Sequence, residues 1–204
     1  MALYQHFIYE DAEVAIWKIE EDEDFFRQAT GLTSFIHAEK RRIEYYAGRF
    51  LLQRLIPHLN LEEIKIDNIG KPYLEDGSFH FSISHSFPYI AVVIHETAVV
   101  GIDIQVYRPK ILRILEKYLH TDELHLLPQT IENMSMLWCT KEALYKWRGT
   151  GGQDFSEQLR ILNVNENTQN HNLTCAIIDA DKSIHNLSVM AKQDLDFAMA
   201  IAVK

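Results

Sequence analysis

The chain has 204 residues, 47% of them hydrophobic, which is enough to bury a full core in one domain or two small ones. A formal net charge of -9 argues against nucleic acid as the main partner, because neutralising phosphates needs clustered Lys and Arg. The two cysteines, Cys139 and Cys175, form no Cys-x-x-Cys pattern, so a disulfide framework or zinc site has no support. Residues 1–13 lack a basic region followed by an apolar run, and the apolar stretch 89–94 is strand-sized; a cytoplasmic protein with no membrane span is expected.

In chain order, a strand-like segment at 13–19 precedes an acidic turn at 20–24. Residues 37–56 read as a strong amphipathic helix on Ile43, Tyr46, Ala47, Phe50, Leu51 and Ile56, stopped by Pro57. Short strands follow at 64–68, 79–84, 89–95 and 98–104, with turns at 86–88 and 95–97. The run 107–120 places Ile111, Leu112, Leu115, Tyr118 and Leu119 at helical spacing, with Lys110, Arg113 and Lys117 as a basic stripe on the other side. A helix at 131–148 leads through a Gly-rich turn at 149–152 to strands near 158–164, 173–178, 184–191 and 197–203, with the Asn-rich 163–172 as a hairpin loop. A helix followed by antiparallel strands, occurring twice, predicts an α+β fold.

Two segments carry chemistry. On the strand Gly101-Ile102-Asp103-Ile104-Gln105, side chains alternate: Ile102 and Ile104 point to a core, while Gly101, Asp103 and Gln105 share the other face, which is read as free for chemistry. On the helix, Glu142 and Lys146 are four residues apart and project together beside Trp138 and Tyr145. A carboxylate from each element could share one hard cation. The bland alternatives are a strand-end acid for Asp103 and an ordinary helix ion pair for Glu142 and Lys146.

Gly101-Ile102-Asp103 followed by Trp138-x-x-Lys141-Glu142-Ala143-x-x-Lys146 resembles the hallmark of the 4'-phosphopantetheinyl transferases. Gly70-Lys71-Pro72 and Phe81-Ser82-Ile83-Ser84-His85-Ser86, in the family's order, are similar to motifs of its larger, surfactin-synthetase-activating branch rather than the small trimeric one. The resemblance implies two similar subdomains, residues 1–97 and 98–204, each a helix packed on a small antiparallel sheet, with the active site at their interface and a monomer as the working form. It implies transfer of phosphopantetheine from coenzyme A to a serine of an apo acyl or peptidyl carrier protein, with release of 3',5'-ADP.

The resemblance also assigns residues. Asp103 and Glu142 would ligate Mg2+, with Gln105 where many members carry a second acid; a neutral amide there predicts weaker Mg2+ binding or better tolerance of Mn2+. Lys146 would neutralise the leaving phosphate, while Lys141 either assists or packs its stem beside Leu137 and Leu144. Glu142 and a hydroxide on the metal remain open as the base. Ser84, His85 and Lys71 would contact the 3'-phosphate end of coenzyme A, and one of Arg41, Arg42 and Arg49 would reach a phosphate. An acidic carrier protein would dock near Lys110, Arg113 and Lys117, the alternative being a solvated face. Two rival functions remain: a non-catalytic module that binds coenzyme A or a carrier, and a Mg2+-dependent phosphodiesterase.

Overall fold

A computed structural model describes residues 3–165 and 170–204. The chain divides into two compact units, Met1–Ala98 and Val99–Lys204, and each packs a long helix on an antiparallel sheet, so the fold is α+β. No helix among the described residues is long and apolar enough to cross a membrane.

The first unit contains β1 (Leu3–Tyr9), β2 (Ala12–Lys18), α1 (Glu23–Thr30), α2 (Glu39–Leu55), β3 (Ile64–Ile66), β4 (Pro72–Leu74), β5 (His80–Ser86) and β6 (Tyr89–His95). Its main sheet has the order β1-β2-β6-β5, and β3 pairs with β4 separately. The hairpin β1–β2 turns through Glu10 and Asp11, both at positive φ (46° and 63°), the conformation that matches strand twist in a two-residue loop. Neither β1 nor β4 is evident in the sequence. The acidic 20–24 segment is also more than a turn: Asp22 accepts the Phe25 N–H at 2.9 Å and caps α1, whose first turn carries Glu23 and Asp24 where the helix dipole favours acids. Gly31, at φ 66°, ends that helix. Phe26, Tyr46, Ala47, Leu51 and Leu52 are buried with Ile90 and Val92 in one core, where a fully enclosed Phe or Leu stabilises by roughly 1.5–3 kcal/mol.

The second unit contains β7 (Val100–Val106), α3 (Ile131–Arg148), β8 (Leu159–Asn165), β9 (His171–Ile178), β10 (Ile184–Gln193) and β11 (Phe197–Val203), in the sheet order β7-β11-β10-β9-β8. Thr130 caps α3 by accepting the Asn133 N–H, and Gly149 closes it at φ 62°. Residues 163–165 and 171–172, expected in a loop, belong to β8 and β9, while 166–169 of that expected loop lie outside the described residues.

The run 107–120 is not an amphipathic α-helix. Short 3-10 turns span Pro109–Arg113 and Leu115–Lys117, interrupted at Ile114 (φ -125°, ψ 14°), and a third spans Thr121–His125. Ile111, Tyr118 and Leu119 are buried as their spacing suggests, but Leu112 is exposed because 3-10 geometry turns residues by a different angle from the α period.

Candidate functional site

Strand β7 pairs with β11 so that Gly101, Asp103 and Gln105 lie beside Ala202, Ala200 and Ala198. These small partners let α3 lie close on this face. A Cβ at Gly101 would stand 2.6 Å from the Trp147 nitrogen and overlap the Ala143 carbonyl oxygen. The face read as free for chemistry is therefore covered by α3, and the chemistry-bearing groups meet between strand and helix.

Asp103 is buried, and its Oδ1 accepts a bond from Lys146 Nζ at 2.8 Å. The same ammonium donates to the Ile102 carbonyl at 2.9 Å, so the motif lysine reaches back to the motif strand through two bonds. Burial first, then the neighbouring Asp103 charge, pushes the Glu142 carboxyl up to about 7, with Lys146 acting in the opposite direction. Two repelling carboxylates and one ammonium thus share a partly enclosed site. Gln105 is half-buried, and its Nε2 donates to the Val106 carbonyl at 2.8 Å. Among the described residues no group of three or more His, Cys, Asp or Glu is arranged to hold a metal. Mg2+ commonly takes only one or two protein carboxylates, with water and substrate phosphates completing its shell, so the Asp103–Glu142 donor set fits that ion.

Lys141 has a different task from the one the motif suggested. It has no exposed surface, and its ammonium lies 2.5 Å from the equally enclosed Glu123 and donates to the Phe155 carbonyl at 2.8 Å. Burial lowers its pKa and Glu123 opposes the shift. Glu123 also accepts the backbone N–H groups of His120 (2.7 Å) and Ile161 (2.6 Å), which satisfies its oxygens. So enclosed a lysine meets no incoming phosphate; it ties α3 to the Thr121–His125 turn and to Phe155, whose ring stacks on Trp138 at 5.7 Å and lies 5.3 Å from Tyr145. A lysine in line with the core residues Leu137 and Leu144 was the available sign that an acid had to be buried nearby.

In the first unit, His85 Nδ1 lies 3.2 Å from Glu44 Oε2; Glu44, on α2, is 7% exposed and was not singled out by any sequence pattern. Ser84 is buried on the opposite face of β5 from His85, so the strand separates the two side chains expected to act together. Lys71 is half-buried beyond a turn made by Asp67, which accepts the Ile69 and Lys71 N–H groups. Desolvation lowers the Lys71 pKa against the attraction of Asp67. Arg42 is engaged by both carboxylate oxygens of Glu23 at 2.8 and 2.9 Å and by the carbonyls of Ile36 and His37, which makes it a brace between α1 and α2. Arg49 stacks over the Tyr45 ring at 3.7 Å, and Arg41 is exposed.

Lys110, Arg113 and Lys117 are all exposed, though not on one helix face. Arg113 and Lys117 border a hollow of about 370 Å³ with Leu112, Leu115 and Leu124, whereas Lys110 borders another of about 240 Å³ with Gln105, Arg108 and Trp138.

The family model of the 4'-phosphopantetheinyl transferase superfamily matches residues 99–202. The chain is 34% identical over 153 residues to the 4'-phosphopantetheinyl transferase psf-1 of Bacillus pumilus, covering 64% of this chain and 65% of that protein. It is 32% identical over 118 residues to the 4'-phosphopantetheinyl transferase AcpT of Escherichia coli (strain K12), covering 53% and 59%. A similar match, 32% over 117 residues, covers 53% of this chain and 60% of AcpT of Salmonella typhimurium. The chain thus spans less than two thirds of the length of these relatives. With half of its length, including β7, α3 and the Asp103–Glu142–Lys146 cluster, inside the family model, the chain belongs to the 4'-phosphopantetheinyl transferase superfamily.

Proposed function

We propose that this chain moves the 4'-phosphopantetheine group of coenzyme A to a serine of an apo acyl or peptidyl carrier protein. The serine oxygen bonds to the β-phosphorus, the bond from that phosphorus to the bridging oxygen breaks, the serine proton passes to Glu142 or to solvent, and 3',5'-ADP departs with the bond's electron pair. The observation that carries this reading is the meeting of Asp103, Glu142 and Lys146 across β7 and α3. Asp103 and Glu142 would hold Mg2+, which when bound supplies positive charge to the pyrophosphate oxygens. A carboxyl that titrates near neutrality because of burial and a like charge gains more than a solvated one from a divalent neighbour. Lys146, fixed by Asp103 and the Ile102 carbonyl, would offer its charge to the departing phosphate. His85 and Lys71 would hold the 3'-phosphate end of coenzyme A.

In this reading the protein is a cytoplasmic monomer, with residues 1–98 and 99–204 as its N-terminal and C-terminal parts. Its two cysteines, free and buried, suit a reducing compartment. One observation favours a second reading, a non-catalytic coenzyme A or carrier binder: Gln105 brings no charge and spends its amide N–H on Val106.

Incubating the protein with coenzyme A, Mg2+ and apo carriers of fatty acid, polyketide and peptide synthesis, then weighing each carrier by mass spectrometry, separates these readings. A carrier gaining one phosphopantetheine supports transfer. Coenzyme A bound with no carrier modified supports the binder, and coenzyme A hydrolysed without an acceptor supports a phosphodiesterase.

A further inference from the structure

Helix α2 lies along β5 in a register that both elements fix. A Cβ at Gly48 would stand 3.1 Å from Ile83 Cγ2, so the helix approaches the strand closely at that point. One turn earlier on α2 is Glu44, and two residues further along β5, on the same face as Ile83, is His85. A helical turn of four residues rises about 6 Å and two strand residues span about 6.6 Å, so with the elements antiparallel these two side chains meet as a consequence of the Gly48–Ile83 approach. The meeting is polar: Glu44 Oε2 lies 3.2 Å from His85 Nδ1.

The two groups are unequally placed. Glu44 is 7% exposed and His85 40% exposed. A carboxylate this enclosed is costly without a cationic or donating partner, whereas a rim histidine needs none for stability. Such an acid fixes the ring: with Nδ1 turned toward α2, the Nε2 edge is directed away from the helix. Strand β6 places Ile90 opposite His85, and the charged groups in the first turn of α2 are the acid Glu39 and the cations Lys40, Arg41 and Arg42, with Lys40 4.6 Å over the Phe87 ring.

We infer that Glu44 is a positioning residue: it orients His85 and sets a negative charge beside its Nδ1, so that the imidazole of β5 presents its Nε2 edge to a terminal phosphate monoester of the substrate. The inference rests on the proposed function, because that phosphate is the 3'-phosphate of coenzyme A. It adds a residue, and a division of labour, that the family motifs do not contain. Glu44 acts only through His85, and it should therefore matter only to substrates that carry the phosphate.

The test is a double-mutant cycle of E44Q and H85A, with coenzyme A and 3'-dephospho-coenzyme A as paired substrates, and with direct binding of each by calorimetry. E44Q keeps shape and hydrogen bonding and removes charge. It should raise KM and Kd for coenzyme A about tenfold, leave kcat within about twofold, and leave the dephospho form unchanged. In the H85A background E44Q should have no further effect. If E44Q lowers thermal stability enough to blur the constants, E44D, which keeps the charge and shortens the reach, should show the same selective loss for the phosphorylated form. Equal constants for wild type and E44Q with coenzyme A, or equal losses with both substrates, overturn the role of Glu44 while leaving the transferase reading intact. Wild-type protein that binds no coenzyme A overturns both.

Discussion

Gly101 of β7 and Ala143 of α3 touch backbone to backbone: the Ala143 carbonyl oxygen occupies the space that any side chain at Gly101 would need. This contact explains why the Gly-Ile-Asp motif opens with glycine. Close approach of helix and strand sets the distance over which Lys146 reaches Asp103, at 2.8 Å, and brings Glu142 near enough to feel that acid.

Substituting Gly101→Ala should therefore do two things at once. Overpacking against backbone, which cannot swing away as a side chain can, is expected to cost about 1–3 kcal/mol in chemical denaturation. Transfer should fall further than stability accounts for at saturating coenzyme A, because α3 moves away from Asp103. A G101A protein with wild-type turnover would mean that the helix–strand spacing does not matter to the site.

The Lys141–Glu123 pair predicts a stability result rather than a binding one. Lys141→Ala removes the ammonium from a carboxylate with no exposed surface and should cost about 3–5 kcal/mol by urea unfolding, and Lys141→Met with Glu123→Leu should not recover that loss, because the His120 and Ile161 N–H groups then lose their acceptor. An unaltered unfolding midpoint in K141A would show that the pair is not the anchor described.

How legible was this in the sequence? Helix α3, Ile131–Arg148, was legible to the residue because Thr130 and Gly149 are caps of standard type. The motif residues Asp103, Glu142 and Lys146 were legible because their spacing is specific, but the direction of their strand face was not: alternation separates two faces without saying which one a helix covers. Strand β1 was missed because its turn, Glu10-Asp11, contains no glycine or asparagine to announce positive φ. Helix α1 was missed because its capping acids read as a charged turn. Residues 107–120 misled because a helical period of apolar residues also fits two broken 3-10 turns. Glu44 and Glu123 were illegible since their partners, His85 and Lys141, are 41 and 18 residues away and meet them only in the fold.

Asp179 predicts a pH dependence. The Arg148 guanidinium, bonded to both of its oxygens at 2.9 and 2.7 Å, holds its carboxyl down to about 2 against burial, with His185 assisting at 2.9 Å. A depressed carboxyl stabilises the fold above its ordinary value of 3.8 and loses that contribution as pH falls through about 2. The stability gap between wild type and Asp179→Asn should thus hold at pH 5 and close toward pH 2. A gap that stays constant across that range would mean that the ion pair at the end of α3 contributes nothing to acid stability.

The exposed cations Lys110, Arg113 and Lys117 predict a partner effect that salt should remove. Changing all three to Glu should raise KM for an acidic carrier severalfold or more at low ionic strength and leave coenzyme A binding unaltered, with the difference fading as the Debye length falls toward about 8 Å at physiological salt. Because Arg113 and Lys117 border one hollow, the pair of changes there should account for more of the effect than Lys110→Glu alone. A carrier KM untouched by the triple reversal at low salt would remove this segment from the docking surface.

The central claim is that Asp103 and Glu142 form a divalent-cation site that supports transfer. Its most direct test is the fraction of carrier converted, read by mass, as Mg2+ is titrated into wild type, D103A, E142A and Q105E. The account predicts conversion by wild type that requires the metal, losses of orders of magnitude in D103A and E142A with the fold retained, and a lower Mg2+ requirement in Q105E. Conversion by D103A or E142A at the wild-type rate under limiting Mg2+ would contradict it.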